Sequence, residues 1–269
     1  MTNDTEIYLD LAFSPCPNDT FIFHALVARR IDTMPFYFNP FIEDVEELNR
    51  RAFGGIHHIT KLSFYAYLLL KDRYELLDAG AAMGFGCGPL LVAGESLKSL
   101  KNARIAVPGQ YTTAYLLFQL WHGKTENVIF TRFDNILPGI ASGEYDCGII
   151  IHEGRFVYPD YNCVKVIDLG EWWETQTGLP IPLGCITIKS HMVEYKISVE
   201  NLIRNSIDYA RRHPSDSQGF IRSHAQEMDD KVISEHISLY VNEYSMFLDE
   251  QGKKAVSVLE EMARKQGLL

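Results

Sequence analysis

A histidine at the end of an apolar run, paired threonines before a helical stretch and a proline-punctuated turn are the residues of this 269-residue chain best placed to do chemistry. His152 follows Gly148-Ile149-Ile150-Ile151, the continuous apolar pattern of a strand buried on both faces. Ligands of open α/β sheets collect beyond the carboxyl ends of such strands. An imidazole there, with an ordinary pKa of about 6.5, can accept a proton near neutral pH. Thr112-Thr113 and Asn18-Asp19 stand where helices are predicted to begin, so the first N–H groups of those helices form cradles for an anion. Together these residues suit proton abstraction from a small anionic molecule.

Other reactive residue types do not gather. The five cysteines, Cys16, Cys87, Cys147, Cys163 and Cys185, are scattered without a Cys-x-x-Cys pair and read as reduced thiols. No histidine stands at metal-ligand spacing from a cysteine, and adjacent His57-His58 would face opposite ways on a strand, so no metal site is expected. The glycine run from Gly80 to Gly88 leads into another strand and opens no helix, which excludes a dinucleotide fingerprint. It suits a backbone crossing between lobes.

The elements that must position these residues alternate. Ile7, Leu9, Leu11 and Phe13 give the period-two pattern of a strand, and a helix capped by Asn18 or Asp19 follows. A short strand at Phe36-Tyr37-Phe38 leads to a helix opened by Asp44 and closed by Gly54-Gly55. Ile56 to Leu62 is strand-like and gives way at Ser63 to an apolar helix. Strands are predicted at Pro89 to Ala93, Arg104 to Val107, Val128 to Thr131, Gly148 to Ile151 and Val164 to Leu169, with helices after Thr112 and from Asn135 to Ala141. Glu171 to Gly184 reads as a Pro/Gly-punctuated return before a strand at Cys185 to Ile188. The remainder is helical, with caps predicted at Ser198, Ser215 and Asp229 and a last helix from about Gly252 to Arg264. This rhythm predicts a mostly parallel α/β sheet.

A composition of 46% hydrophobic and 22% charged residues is that of an ordinary globular protein. The net charge of −10 disfavours nucleic acid and anionic lipid as partners. Residues 1–6 are acidic, without the basic start of a signal peptide, and no apolar run approaches about 18 residues, so a soluble cytoplasmic protein is expected.

The wording of the opening turn, Ser14-Pro15-Cys16-Pro17-Asn18-Asp19-Thr20-Phe21-Ile22-Phe23, is similar to the N-terminal signature of 1,4-dihydroxy-6-naphthoate synthases, enzymes of the futalosine route to menaquinone. The resemblance runs nearly end to end through Glu43 to Arg50, Thr60-Lys61-Leu62-Ser63, Ala106 to Gly109, Thr112 to Tyr115, Ile150-Ile151-His152-Glu153 and Gly178 to Gly184. It implies a two-lobed type II periplasmic-binding-protein-like α/β fold with two interlobe crossings, residues 1–90 and 185–269 forming lobe one with both termini, and 91–184 lobe two. The implied activity is cofactor-free cleavage of cyclic dehypoxanthine futalosine to 1,4-dihydroxy-6-naphthoate. The implied catalytic base is His152. Ser63, Thr112 and Thr113 are expected to hold a carboxylate or polar substituent of the small-molecule substrate, with Lys61 adding charge and Asn18 and Ile151 completing the contacts. No ligand role is carried onto His57 or His58. Two other functions suit this architecture, a solute-binding protein for a small carboxylate and an enzyme like chorismate dehydratase of the same pathway. The sequence leaves the oligomeric state open.

Overall fold

The structure, a computed structural model, describes residues 6–95, 97–225 and 229–269. The acidic start at residues 1–5 lies outside the described residues. The chain opens with strand β1 (Ile7–Phe13), helix α1 (Pro17–Val27), β2 (Phe36–Ile42), α2 (Val45–Phe53), β3 (Ile59–Ser63), α3 (Phe64–Leu69) and β4 (Tyr74–Leu76). Next come β5 (Ala82–Gly84), β6 (Leu90–Gly94), β7 (Ile105–Val107), α4 (Thr113–His122), β8 (Val128–Phe130), α5 (Ile136–Ala141), β9 (Cys147–Ile150) and α6 (Gly154–Val157). The rest is β10 (Cys163–Asp168), α7 (Leu169–Thr177), β11 (Ile181–Lys189) and the helices α8 (Lys196–Arg212), α9 (Pro214–His224), α10 (Asp230–Tyr240), α11 (Glu243–Met246) and α12 (Glu250–Lys265).

The chain divides into two compact units, the first running up to Ala82 and resuming at Gly184–Leu248, the second comprising Met83–Leu183 and Asp249–Leu269. The first unit's sheet has the order β2-β1-β3-β11-β4, with β5 pairing on β11. β1 runs parallel to β2 and β3, and β11 runs against β3 and β4. Its core joins Leu9, Leu11 and Phe13 of β1 to Ile22 and Phe23 of α1 and to Ile203 and Ile207 of α8. The second unit's sheet has the order β10-β6-β9-β7-β8, in which β7 is parallel to β8 and β9 while β6 opposes both β9 and β10. Leu90, Val92, Ala106, Ile136 and Ile150 are buried in its core.

Five features differ from what the sequence predicts. Both sheets are mixed and not mostly parallel, because β6, which follows the change of unit after Ala82, and β11, within which the chain changes unit again, each run against their neighbours. Glu171 to Thr177 belongs to a helix and not to an irregular return; the Asp168 carboxylate caps it by accepting from the N–H groups of Gly170 and Glu171, and Gly178 ends it at φ 67°. α1 is entered through Cys16 with Pro17 in the first turn, and neither Asn18 nor Asp19 caps it. Ser198 and Ser215 likewise lie inside their helices, which start at Lys196 and Pro214.

The C-terminal helix differs in allegiance. Both termini are expected in lobe one from the sequence, whereas residues 249–269 pack with the second unit. Gln266 donates from Nε2 to the Leu120 carbonyl at the end of α4, and Lys124 reaches the Gly267 carbonyl. The chain therefore changes unit three times, after Ala82, Leu183 and Leu248. An amphipathic helix carries an apolar stripe but no record of which core it covers.

Candidate active site

In the first unit, the carboxyl ends of β1 and β3 bring Ser14, Asn18, Asp19, Lys61 and Ser63 together. Asp19 is the hub. Its Oδ2 accepts from the Ser14 hydroxyl at 2.7 Å and from the Ser14 N–H at 3.2 Å. Its Oδ1 accepts from Asn18 Nδ2 at 2.9 Å and from Lys61 Nζ at 2.6 Å. Asp19 is fully buried and Lys61 is 4% exposed, so this is an ion pair removed from water, supported by further hydrogen bonds on the carboxylate. Asn18 Oδ1 in turn meets His236 Nε2 at 3.0 Å. Ser63 is fixed separately, its N–H donating to Asn49 Oδ1 and its hydroxyl accepting from Asn49 Nδ2. The charge of Lys61 is thus neutralised inside the unit. Proximity of β3 and β11 also matters, because a Cβ on Gly184 would stand 2.9 Å from Lys61 Cε.

In the second unit, β7, β8, β9 and β10 all point their carboxyl ends to one edge of the sheet, where β6 begins. Thr112 arrives from β7, Phe133 from β8, His152 from β9 and Asp168 from β10. Thr112 caps α4, accepting from the Tyr115 N–H at 3.2 Å and donating to the Gly109 carbonyl at 2.9 Å. Thr113 donates to the Leu183 carbonyl at 2.8 Å. Both hydroxyls therefore hold the protein's own backbone and fix the start of a ten-residue helix whose dipole favours an anion. Ile151 joins β9 to His152.

His152 adopts φ 54°, a left-handed conformation that few non-glycine residues hold. Its ring meets Phe133 edge-on at 5.1 Å between centroids. Backbone held in this region costs of order 1 kcal/mol and persists where the surroundings over-determine it, which happens most at ligand and catalytic sites. Burial pushes the Cys87 and Cys147 thiols up to about 12, which leaves them protonated and poorly nucleophilic at neutral pH.

The sequence singles out Asp19 only as a helix start and possible cap, and does not single out Asn49, His236, Phe133, Arg155 or Asp168. Among the latter, only Asp168 carried a readable signal, an aspartate directly before an apolar-periodic stretch that ends at a glycine. The others are brought in by tertiary contacts spanning up to 218 positions of sequence.

The alkanesulfonate-binding protein of Xanthomonas axonopodis pv. citri superposes with a TM-score of 0.71 at 14% identity, covering 98% of this chain and 95% of that one. With its two mixed sheets, the chain thus has the type II periplasmic-binding-protein-like fold. A crystal structure of an Archaeoglobus fulgidus protein agrees more closely, with a TM-score of 0.92 at 36% identity over 97% of this chain and 98% of that one. The sequence profile of a family described as menaquinone biosynthesis matches residues 9–265. The chain is 47% identical to the 1,4-dihydroxy-6-naphthoate synthase of Thermus thermophilus, over 97% of this chain and 95% of the relative. It is 38% identical to the enzyme of that name from Streptomyces coelicolor, over 100% and 96%. The chain belongs to this menaquinone-biosynthesis family, that of the 1,4-dihydroxy-6-naphthoate synthases.

Proposed function

We propose that the chain is a cytoplasmic carbon–carbon lyase that converts cyclic dehypoxanthine futalosine into 1,4-dihydroxy-6-naphthoate, with His152 as its general base. The observation that carries this reading is the left-handed His152 at the carboxyl end of the central strand β9, its ring set edge-on against Phe133. An imidazole so held can take a proton from the substrate, and the electron pair left behind drives cleavage of the carbon–carbon bond and aromatisation of the new ring. A positioned base of this kind contributes about 10²–10⁴ in rate. On this reading the chain's own acid–base groups suffice without cofactor or metal.

The carboxylate of the substrate is assigned to the α4 N-terminus, where Thr112 and Thr113 shape the first turn and Ile151 supplies an apolar contact. Ser63 and Asn18 are proposed as further polar contacts of the substrate, while Lys61 acts through Asp19 by holding the opening turn. A small carboxylate, and neither nucleic acid nor lipid, suits a chain of net charge −10 that concentrates its anion affinity at a helix terminus.

The test is incubation of purified, metal-stripped protein with the cyclic substrate and detection of the naphthoate by mass. Product is expected from the parent protein. His152→Ala and His152→Asn are expected to fold and bind substrate yet lose at least about 10² in turnover; turnover within a few-fold of the parent would remove His152 from the role. Binding of small carboxylates without any product would favour a solute-binding function instead.

A further inference from the structure

We propose that Arg155 is a positioning residue, a strap that holds His152 in its left-handed turn; the inference rests on the reading of His152 as the base. Arg155 stands three residues after His152 in α6, at the end of the strand β9. Its guanidinium forks in two directions. Nη1 donates to the Gly88 carbonyl at 2.6 Å, just before β6, and Nη2 donates to Asp168 Oδ2 at 2.8 Å, at the end of β10. Since the sheet order is β10-β6-β9 and Leu90 lies opposite both Ile150 and Asp168, this one side chain ties together three neighbouring strands at the edge where His152 sits.

The anchor is rigid. Asp168 is 8% exposed and its other oxygen accepts from the N–H groups of Gly170 and Glu171, so it cannot turn without uncapping α7. Leu169 donates from its N–H to the Pro89 carbonyl beside it. The backbones of Gly88 and Gly170 touch so closely that a Cβ on Gly88 would stand 2.3 Å from Gly170 Cα. At the other end, the Arg155 backbone nitrogen donates to the His152 carbonyl oxygen at 3.4 Å, closing the turn that carries the imidazole, and a Cβ on Gly154 would stand 3.3 Å from Ile150 Cβ. A turn that includes a histidine at φ 54° relaxes toward ordinary backbone when its far end is released. The strap prevents that. Lysine replaces the arginine poorly, because its single ammonium nitrogen lacks the planar fork whose two separate nitrogens reach the Gly88 carbonyl and the Asp168 carboxylate.

The experiment measures kcat and KM with cyclic dehypoxanthine futalosine for Arg155→Met, Arg155→Lys and Asp168→Asn, each in the parent protein and in His152→Ala. In the parent protein, Arg155→Met is expected to lower kcat about 10²-fold with little change in KM, the cost of a base displaced by about 1 Å. Arg155→Lys is expected to restore little. In the His152→Ala background the same substitutions are expected to change nothing further. Asp168→Asn covers the case in which Arg155→Met fails to fold, since the amide oxygen still caps α7 while the charged partner of the fork is gone. If His152→Ala loses turnover but Arg155→Met and Asp168→Asn keep the parental kcat, the strap is refuted and the base stands. Equal losses in both backgrounds would mean a general structural role and refute the strap as well. Parental turnover in His152→Ala would overturn the base itself.

Discussion

Asp19 and Lys61 face each other with almost no water contact, and the consequence of separating them is asymmetric. Removing the ammonium leaves a buried carboxylate held only by Ser14 and Asn18. Lys61→Met is therefore expected to cost about 3–5 kcal/mol of stability, read as a shift in the urea midpoint, and pairing it with Asp19→Asn is expected to recover much of the loss. A midpoint unchanged by Lys61→Met would show that the pair contributes nothing. His57 is buried against Phe41 with neither ring nitrogen hydrogen-bonded, and burial lowers its pKa, as it does those of His24 and His58. The unfolded chain thus binds more protons than the folded one below about pH 6.5. Stability is expected to fall as pH drops from there through the lowered folded values, and to be flat with respect to these histidines above it. His57→Leu is expected to flatten part of that slope in urea titrations at pH 7.5 and 5.5; an unaltered slope would clear His57 of any part in it.

Among elements of the second unit, the segment entering β6 and the start of α7 approach one another backbone to backbone. Gly88 and Gly170 meet backbone to backbone, Gly86 donates its N–H to Glu174 in α7 at 2.7 Å, and the buried Trp173 donates from Nε1 to the Leu179 and Pro180 carbonyls. No side chain fits between them. Gly88→Ala is expected to destabilise the protein by about 1–3 kcal/mol through overpacking, measured by thermal or urea unfolding. It should also reduce turnover, because Arg155 bonds the Gly88 carbonyl. A fully stable, fully active Gly88→Ala protein would show that the two backbones part readily.

At the scale of the whole molecule, α12 makes the second unit depend on a segment 66 or more residues beyond its previous contribution, since that unit stops at Leu183 and resumes at Asp249. Ala255, Val256, Leu259 and Ala263 of α12 are buried, and the helix packs on α4. Deleting residues 249–269 is expected to speed amide exchange in β7 and α4 while leaving α8 protected. The reverse pattern would return α12 to the first unit. A protein assembled this way closes its second unit only after residues 249–269 are made.

The sequence by itself determined the local elements and the residue types available for chemistry. The strand read from Ile7 to Phe13 has the bounds of β1, Thr112 and Asp44 cap their helices as their positions demand, and the apolar run before His152 forms the central strand of its sheet. Such features follow from periodicity and from short-range hydrogen bonds, which the chain writes into neighbouring positions. Only the tertiary structure decided which unit α12 joins, that Lys61 is neutralised by Asp19, that His236 meets Asn18, and that Arg155 crosses β6 to reach Asp168. These depend on strand order and strand direction, and a period-two or period-3.6 pattern says which face of an element is buried without saying what it is buried against.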